Sequence, residues 1–136
     1  MIYSMFAMIL LTFGVAAYLL KLRVQAVRTG QLKLSDLRLN SNVDVSANIT
    51  QAVRNYSNLF EIPVLFYTAG SIAIVLNLES AAMIILSWIF VVARIAHSWI
   101  HLTSNNVIHR FKAFMIGNTC VLIIWGQLVW GYSNHA

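Results

Sequence analysis

The chain has little cysteine, proline or acidic side chain: Cys120 and Pro63 are each the only residue of their kind. A single cysteine excludes an intramolecular disulfide framework and a multi-cysteine metal site. Four acidic residues stand against nine basic ones, and charged residues make up only 10% of the chain. With 60% hydrophobic residues and a mean hydropathy of +0.75, this composition excludes an ordinary soluble domain.

Apolar segments long enough to cross a bilayer fill most of the sequence. Residues 1–20 carry no charge, and such a helix covers roughly 30 Å at about 1.5 Å per residue. We expect an uncleaved anchor here, because no basic residue precedes the apolar stretch as in a signal peptide. The sequence predicts an all-α integral membrane protein, a four-transmembrane-helix bundle in one domain, 1–136. The predicted spans are 2–27, 52–78, 80–103 and 108–132, with a loop at 28–51.

The basic residues gather on one side of these spans. Six lie at or between the ends of spans one and two, and three flank the connection between spans three and four: Lys21, Arg23, Arg28, Lys33, Arg38 and Arg54, then Arg94, Arg110 and Lys112. The positive-inside rule predicts that both connections are cytoplasmic and both termini are outside. The net charge of +5 then suits a membrane surface, so membrane lipids are expected partners and nucleic acid is not.

Polar residues inside the second span could form a ligand site, because such residues normally face a bundle interior or a cavity. Arg54, Asn58 and Glu61 follow the spacing i, i+4, i+7, which predicts that they share one helix face. Arginine clamps carboxylates, glutamate suits an ammonium group, and an amide can satisfy a peptide group. Glutathione has this set of groups.

The third and fourth spans add more cationic groups. Arg94, His97 and His101 follow i, i+3, i+7, and Arg110 stands at the mouth of the fourth span. If the second and third spans face each other, a cationic pocket results. A cation there would lower the pKa of the glutathione thiol and favour the thiolate.

Plainer interpretations of these charges stay open. Arg54 can pair with Glu61 while the other arginines reach to lipid headgroups. His97 and His101 could be metal ligands on a helix face, but no third ligand occurs at a matching spacing, so no metal site is predicted.

At these residues the sequence resembles the MAPEG family, the membrane-associated proteins of eicosanoid and glutathione metabolism. The pattern Arg54-x3-Asn58-x2-Glu61, followed closely by Pro63, is similar to the family signature. The segment 93–97, with Arg110 farther on, resembles the microsomal prostaglandin E synthase and glutathione transferase branch. The resemblance implies a homotrimer that binds glutathione between subunits near the cytoplasmic face. We expect a bacterial-type member in the inner membrane.

The resemblance also implies a role for each residue of the site. Five residues of one subunit would bind glutathione: Arg54, Asn58, Glu61, Arg94 and His97. Lys21 or Arg23 would come from a neighbouring subunit. Arg110 would stabilise the thiolate. His101 would be the second catalytic residue, in place of a tyrosine of the family's eicosanoid enzymes, since histidine can donate a hydrogen bond or take a proton near neutral pH.

The function expected from this set is a membrane-bound glutathione-dependent transferase or peroxidase that acts on a lipophilic electrophile by thiolate attack. The alternative is a non-enzymatic MAPEG-like protein that binds lipid or scaffolds a partner, with its buried charges serving helix pairing. A channel or transporter is disfavoured, because no continuous polar stripe runs through the outer half of any span.

Overall fold

The computed structural model describes residues 1–31 and 46–135, which form five α-helices. They are α1 (Ile2–Arg28), α2 (Ala47–Asn58), α3 (Ile62–Val75), α4 (Ala81–Leu102) and α5 (Val107–His135). Helices α2 and α3 together make one span, so four segments are long and apolar enough to cross a membrane: Ile2–Arg28, Ala47–Val75, Ala81–Leu102 and Val107–Asn134. The predicted all-α, four-span fold is confirmed.

The second span begins earlier than predicted. The polar loop was expected to run to residue 51, but α2 already starts at Ala47. Asn48 and Thr50 suggested loop, yet Ile49 and Ala52 lie one turn apart and are buried against Leu19 and Ala26 of α1. Packing of this apolar face outweighs the poor helix propensity of its polar neighbours. Most of the predicted loop, with Lys33 and Arg38, lies outside the described residues.

A break interrupts the second span at residues 59–61. Pro63 lies in the first turn of α3, where its missing N–H costs nothing, whereas inside one continuous helix it would clash with the carbonyl of Leu59. The sequence predicted a bend at this proline. The structure shows a stronger effect, because α2 ends at Asn58 and the chain restarts as α3 at Ile62.

The core of the bundle lies between α1, α3, α4 and α5. Phe66 of α3 packs against Phe90 of α4 with ring centroids 4.5 Å apart. Buried apolar side chains from every span surround this pair, including Met8, Ala69, Val121 and Ile124. Gly70 allows α1 and α3 to approach closely, because an added Cβ would lie 2.8 Å from the sulfur of Met5.

The two ends of the bundle carry different side chains. We call the end where α2 begins, α4 ends and α5 begins the site end, and the end that carries the α3–α4 connection the turn end. The basic residues that the structure describes belong to the site end: Lys21, Arg23, Arg28, Arg54, Arg94, Arg110 and Lys112. Between the two ends, large apolar side chains such as Phe13, Val92 and Leu122 are exposed, as expected of a lipid-facing surface.

Candidate functional site

Arg94 lies at the centre of the polar groups of the site end. Its side chain is only 1% exposed, and its Nη2 donates to the backbone carbonyl of Asn58 at 2.8 Å. That carbonyl belongs to the last turn of α2, where the helix dipole favours a cation. An added Cβ at Gly117 of α5 would lie 3.7 Å from Arg94 Cδ. The arginine therefore crosses from α4 to α2 while packing on α5.

The positive charge of Arg94 has weak compensation within the chain. Among the described residues, Nε and Nη1 have no hydrogen-bond partner, and no carboxylate lies within 4.0 Å. The carboxylate of Glu61 attracts it from a larger distance. A buried cation with one hydrogen bond is unfavourable at membrane depth. Arg94 therefore lowers the stability of the fold unless an anion binds to it.

Arg110 is fixed by two neighbours at the start of α5. Its Nη1 donates to Asn105 Oδ1 at 2.8 Å and lies 3.3 Å from His101 Nε2. Asn105 adopts the left-handed conformation, with φ of 48°, which asparagine tolerates better than most residues. The short α4–α5 connection thus orients a half-buried guanidinium.

The hydrogen bonds also define the tautomers of the two histidines. His97 Nδ1 lies 3.1 Å from the carbonyl oxygen of Arg110, and a carbonyl only accepts, so Nδ1 carries the proton. His101 Nε2 faces a guanidinium that only donates, so Nε2 presents its lone pair. Neutral His97 therefore has a free lone pair on Nε2, for which the described residues provide no partner.

A cavity of about 230 Å³ lies beside these groups. Asn58, His97 and Arg110 provide its polar wall, and Phe111 and Phe114 provide much of its apolar wall. The ring of Phe114 is 6.0 Å from that of His97. Asn58, Arg94, His97, His101 and Arg110, all predicted from the sequence, thus come together at one place in the fold.

Arg54 and Glu61 lie at the border of this group, and both are exposed. The prediction that Glu61 shares a continuous helix face with Arg54 and Asn58 is wrong. The i, i+7 relation requires an unbroken helix, whereas Glu61 lies in the break with φ of −94° and ψ of −97°. Its carboxylate acts on Arg94 only through charge, from beyond 4.0 Å.

Lys21 and Arg23 stand apart from the cavity. Both are exposed on α1, and Lys21 lies in a separate surface groove with Val24 and Arg28. Within one chain, neither residue lines the cavity beside Arg110.

Two polar residues that the sequence analysis did not single out lie buried in the same region: Asn55 and Ser98. Asn55 is completely buried and Ser98 is 2% exposed. Neither side chain has a hydrogen-bond partner among the described residues. The signal for Asn55 was available, because it continues the buried spacing of Ile49 and Ala52 and a polar residue at such a position is unusual.

Asn55 and Ser98 lie at the same level of the bundle. Helices α2 and α4 cross the membrane in opposite directions, and Asn58 contacts Arg94. One turn back along α2 is Asn55, and one turn forward along α4 is Ser98. The two side chains thus lie at a similar depth on two neighbouring spans.

The comparisons with known proteins assign the chain to a family. The model of the MAPEG family matches residues 1–130. No curated protein and no solved structure matches the chain. The matched region includes the first three spans, most of the fourth and every residue of the candidate site, and on this evidence the chain belongs to the MAPEG family.

Proposed function

We propose that this protein is a glutathione-dependent transferase or peroxidase of the membrane, and that glutathione binds with its sulfur beside Arg110. One observation carries the proposal: Asn105 and His101 fix the Arg110 guanidinium at the wall of a cavity. A guanidinium that is already oriented needs no reorganisation when charge develops on sulfur. No carboxylate among the described residues lies within 4.0 Å of Arg110, so an anionic sulfur would be a suitable counter-ion.

The size of the cavity supports a site that extends beyond one chain. Its volume of about 230 Å³ is below the roughly 300–1,000 Å³ usual for small-molecule sites. A tripeptide would continue onto the surface beside it, where Arg54 could bind a carboxylate and Glu61 an ammonium group. A second copy that brings Lys21 or Arg23 would close the site, which is why we propose the homotrimer.

Within this proposal the two histidines have different tasks. His101 orients Arg110 and is a positioning residue. His97 forms part of the cavity wall, where its Nδ1 is fixed by the Arg110 carbonyl. The thiol gives its proton to water, because the Arg110 cation lowers the thiol pKa. The resulting thiolate forms a thioether with an electrophilic carbon. The carbon either loses a leaving group such as chloride, or its π bond to the next carbon breaks and that carbon takes a proton from water. With a hydroperoxide it takes the terminal oxygen, giving a sulfenic acid and an alcohol, and a second glutathione then yields the disulfide and water.

The lipophilic substrate would enter from the bilayer, since the outer surface of all spans is apolar. The concentration of basic residues at the site end favours a cytoplasmic site. We propose the inner membrane of a bacterium as its location, with both termini on the far side.

The experiment is a thermal unfolding series on the detergent-purified protein with increasing glutathione. Saturation at about 100 times Kd should stabilise the folded state by about 2.7 kcal/mol, a shift of several degrees. An analogue with a methyl group in place of the thiol should give a smaller shift. Arg54→Ala and Glu61→Ala should each remove most of the shift.

Lys112→Ala is the matched control. Lys112 is an exposed cation two residues beyond Arg110, so its loss should leave the glutathione shift intact. If glutathione produces no shift and a lipid copurifies instead, the non-enzymatic lipid-binding alternative replaces the proposal.

A further inference from the structure

A second cavity, of about 420 Å³, lies between α1 and the break in the second span. Its floor is buried or half-buried and includes Thr12, Ala16, Tyr56, Leu59 and Tyr67. Its rim consists of apolar side chains that are exposed in the single chain: Ile9, Phe13, Phe60 and Val64. Asn58 faces the glutathione cavity while its neighbour Leu59 lines this one, so the two cavities lie on different sides of the span.

The lining of this cavity combines aromatic rings with hydroxyl groups. Phe13, Tyr56, Phe60 and Tyr67 contribute rings, and Tyr56 and Phe60 pack edge to face with centroids 5.0 Å apart. Among residues 1–31 and 46–135, no charged side chain lines the cavity. A carboxylate or an amine would therefore lose its hydration without a counter-ion here, and the occupant must be neutral.

The hydroxyl groups are placed for a ligand that carries oxygen atoms. Thr12 Oγ1 donates to the carbonyl of Met8 at 3.0 Å, and the Tyr67 hydroxyl lies beside it. Among the described residues the Tyr56 hydroxyl has no protein partner within hydrogen-bond distance in this structure. This hydroxyl is not one of the buried unpaired atoms, so it is accessible and can bond to a ligand.

The break itself leaves a backbone acceptor without its usual helical partner. Pro63 has no N–H, so the carbonyl of Leu59 receives no hydrogen bond from the position four residues later. Irregular backbone at membrane depth is tolerated where it is buried in protein or lines a cavity. Leu59 meets the second condition, because it lies in the cavity floor.

We propose that this cavity binds a membrane quinone, a neutral planar ring with oxygen substituents and an apolar tail. The ring would stack among the four aromatic side chains, and its oxygens would face Tyr56 and Tyr67. The tail would leave past the exposed rim into the bilayer. The site is separate from the glutathione cavity, and its occupation does not depend on glutathione binding.

The test is calorimetric titration of the full-length purified protein with a short-chain ubiquinone analogue. We expect saturable binding of one molecule per chain. Tyr56→Phe and Tyr67→Phe keep the rings and remove the hydroxyls, so each should weaken binding about fivefold, the equivalent of one net hydrogen bond. Ala16→Phe fills the floor and should abolish binding.

Ala17→Phe is the matched control, because Ala17 is the exposed neighbour of Ala16 and faces a different groove. It should bind the quinone as the natural protein does. The proposal is overturned if Ala17→Phe weakens binding as much as Ala16→Phe, or if both tyrosine variants retain full affinity. A saturated fatty alcohol that binds equally well and loses affinity in the same variants would also overturn it. Glutathione-dependent stabilisation, measured separately, should persist in Ala16→Phe, so the two proposals can fail independently.

Discussion

The two ends of the bundle differ in how completely their polar groups are hydrogen-bonded. At the turn end, Ser80 caps α4 by accepting from the backbone N–H of Met83 at 3.1 Å and donates to Gln127 at 3.3 Å. The ammonium group of Met1 pairs with Glu79. At the site end, buried nitrogen and oxygen atoms of five side chains have no partner among the described residues: Asn55, Arg94, His97, Ser98 and His101.

The difference in hydrogen bonding indicates that the functional site lies at the site end. Each buried polar atom without a partner lowers the free energy of unfolding by about 1–3 kcal/mol. Such atoms persist mainly where they bind a ligand or serve a function. At the turn end, the polar groups of Met1, Glu79 and Ser80 are paired, partly with residues far away in the sequence. The site end keeps a cation, two imidazoles and an amide that are incompletely bonded. We therefore expect substitutions at the site end to affect activity and those at the turn end to affect stability.

The largest effect is expected for Arg110→Ala. Removing an oriented cation from a developing sulfur anion should lower kcat/KM by about 10²–10³-fold, the range seen when one preorganised donor is lost. Conjugation of glutathione to an aromatic chloride in detergent micelles, followed by absorbance, measures this. Arg110→Lys should recover part of the activity, because it keeps the charge but loses the fork geometry.

Lys112→Ala is again the control and should change kcat/KM by less than about twofold, since it is an exposed cation. Equal losses in Arg110→Ala and Lys112→Ala would mean that general surface charge, and not the fixed guanidinium, supports the reaction.

A second large effect separates function from stability at Arg94. Replacing a buried, weakly compensated ion by an apolar side chain of similar volume is often neutral or stabilising by about 1–4 kcal/mol. Arg94→Met should therefore unfold at the same or a higher temperature than the natural protein, while its glutathione-dependent shift is lost. Arg94→Ala, which leaves a cavity, should be less stable.

Thermal unfolding with and without glutathione distinguishes these outcomes. A strongly destabilised Arg94→Met would show that the hydrogen bond to Asn58 stabilises the break in the second span more than the buried charge costs.

The sequence predicted the fold well because lipid leaves few alternatives. Uncharged segments of about 20 residues must form helices across a bilayer, so the four spans follow from hydropathy alone. The clustering of Asn58, Arg94, His97, His101 and Arg110 was predictable for a related reason: polar side chains in spans turn away from lipid.

The parts that the sequence did not predict depend on tertiary packing. The spacing of Arg54, Asn58 and Glu61 assumed a continuous helix, and the break before Pro63 removed Glu61 from that face. The positive φ of Asn105, which fixes Arg110, leaves no periodic signal in a short connection. The burial of Ser98 depends on how α4 lies against its neighbours, which hydropathy does not specify.

The smallest effect is expected at the turn end, for Ser80→Ala. This substitution removes the side-chain cap of α4, so the N–H of Met83 loses its acceptor and stability should fall by about 1 kcal/mol. Ser80→Thr should restore most of the loss, because threonine also caps helices. Ser71→Ala, the same change at an exposed position within α3, should have no such cost, since alanine is the better helix former.

The glutathione-dependent shift should be equal in all of these variants, because Ser80 lies at the opposite end of the bundle from Arg110. A Ser80→Ala protein that also lost glutathione binding would show that the two ends are coupled through α4, and the division between a stabilising end and a functional end would then be wrong.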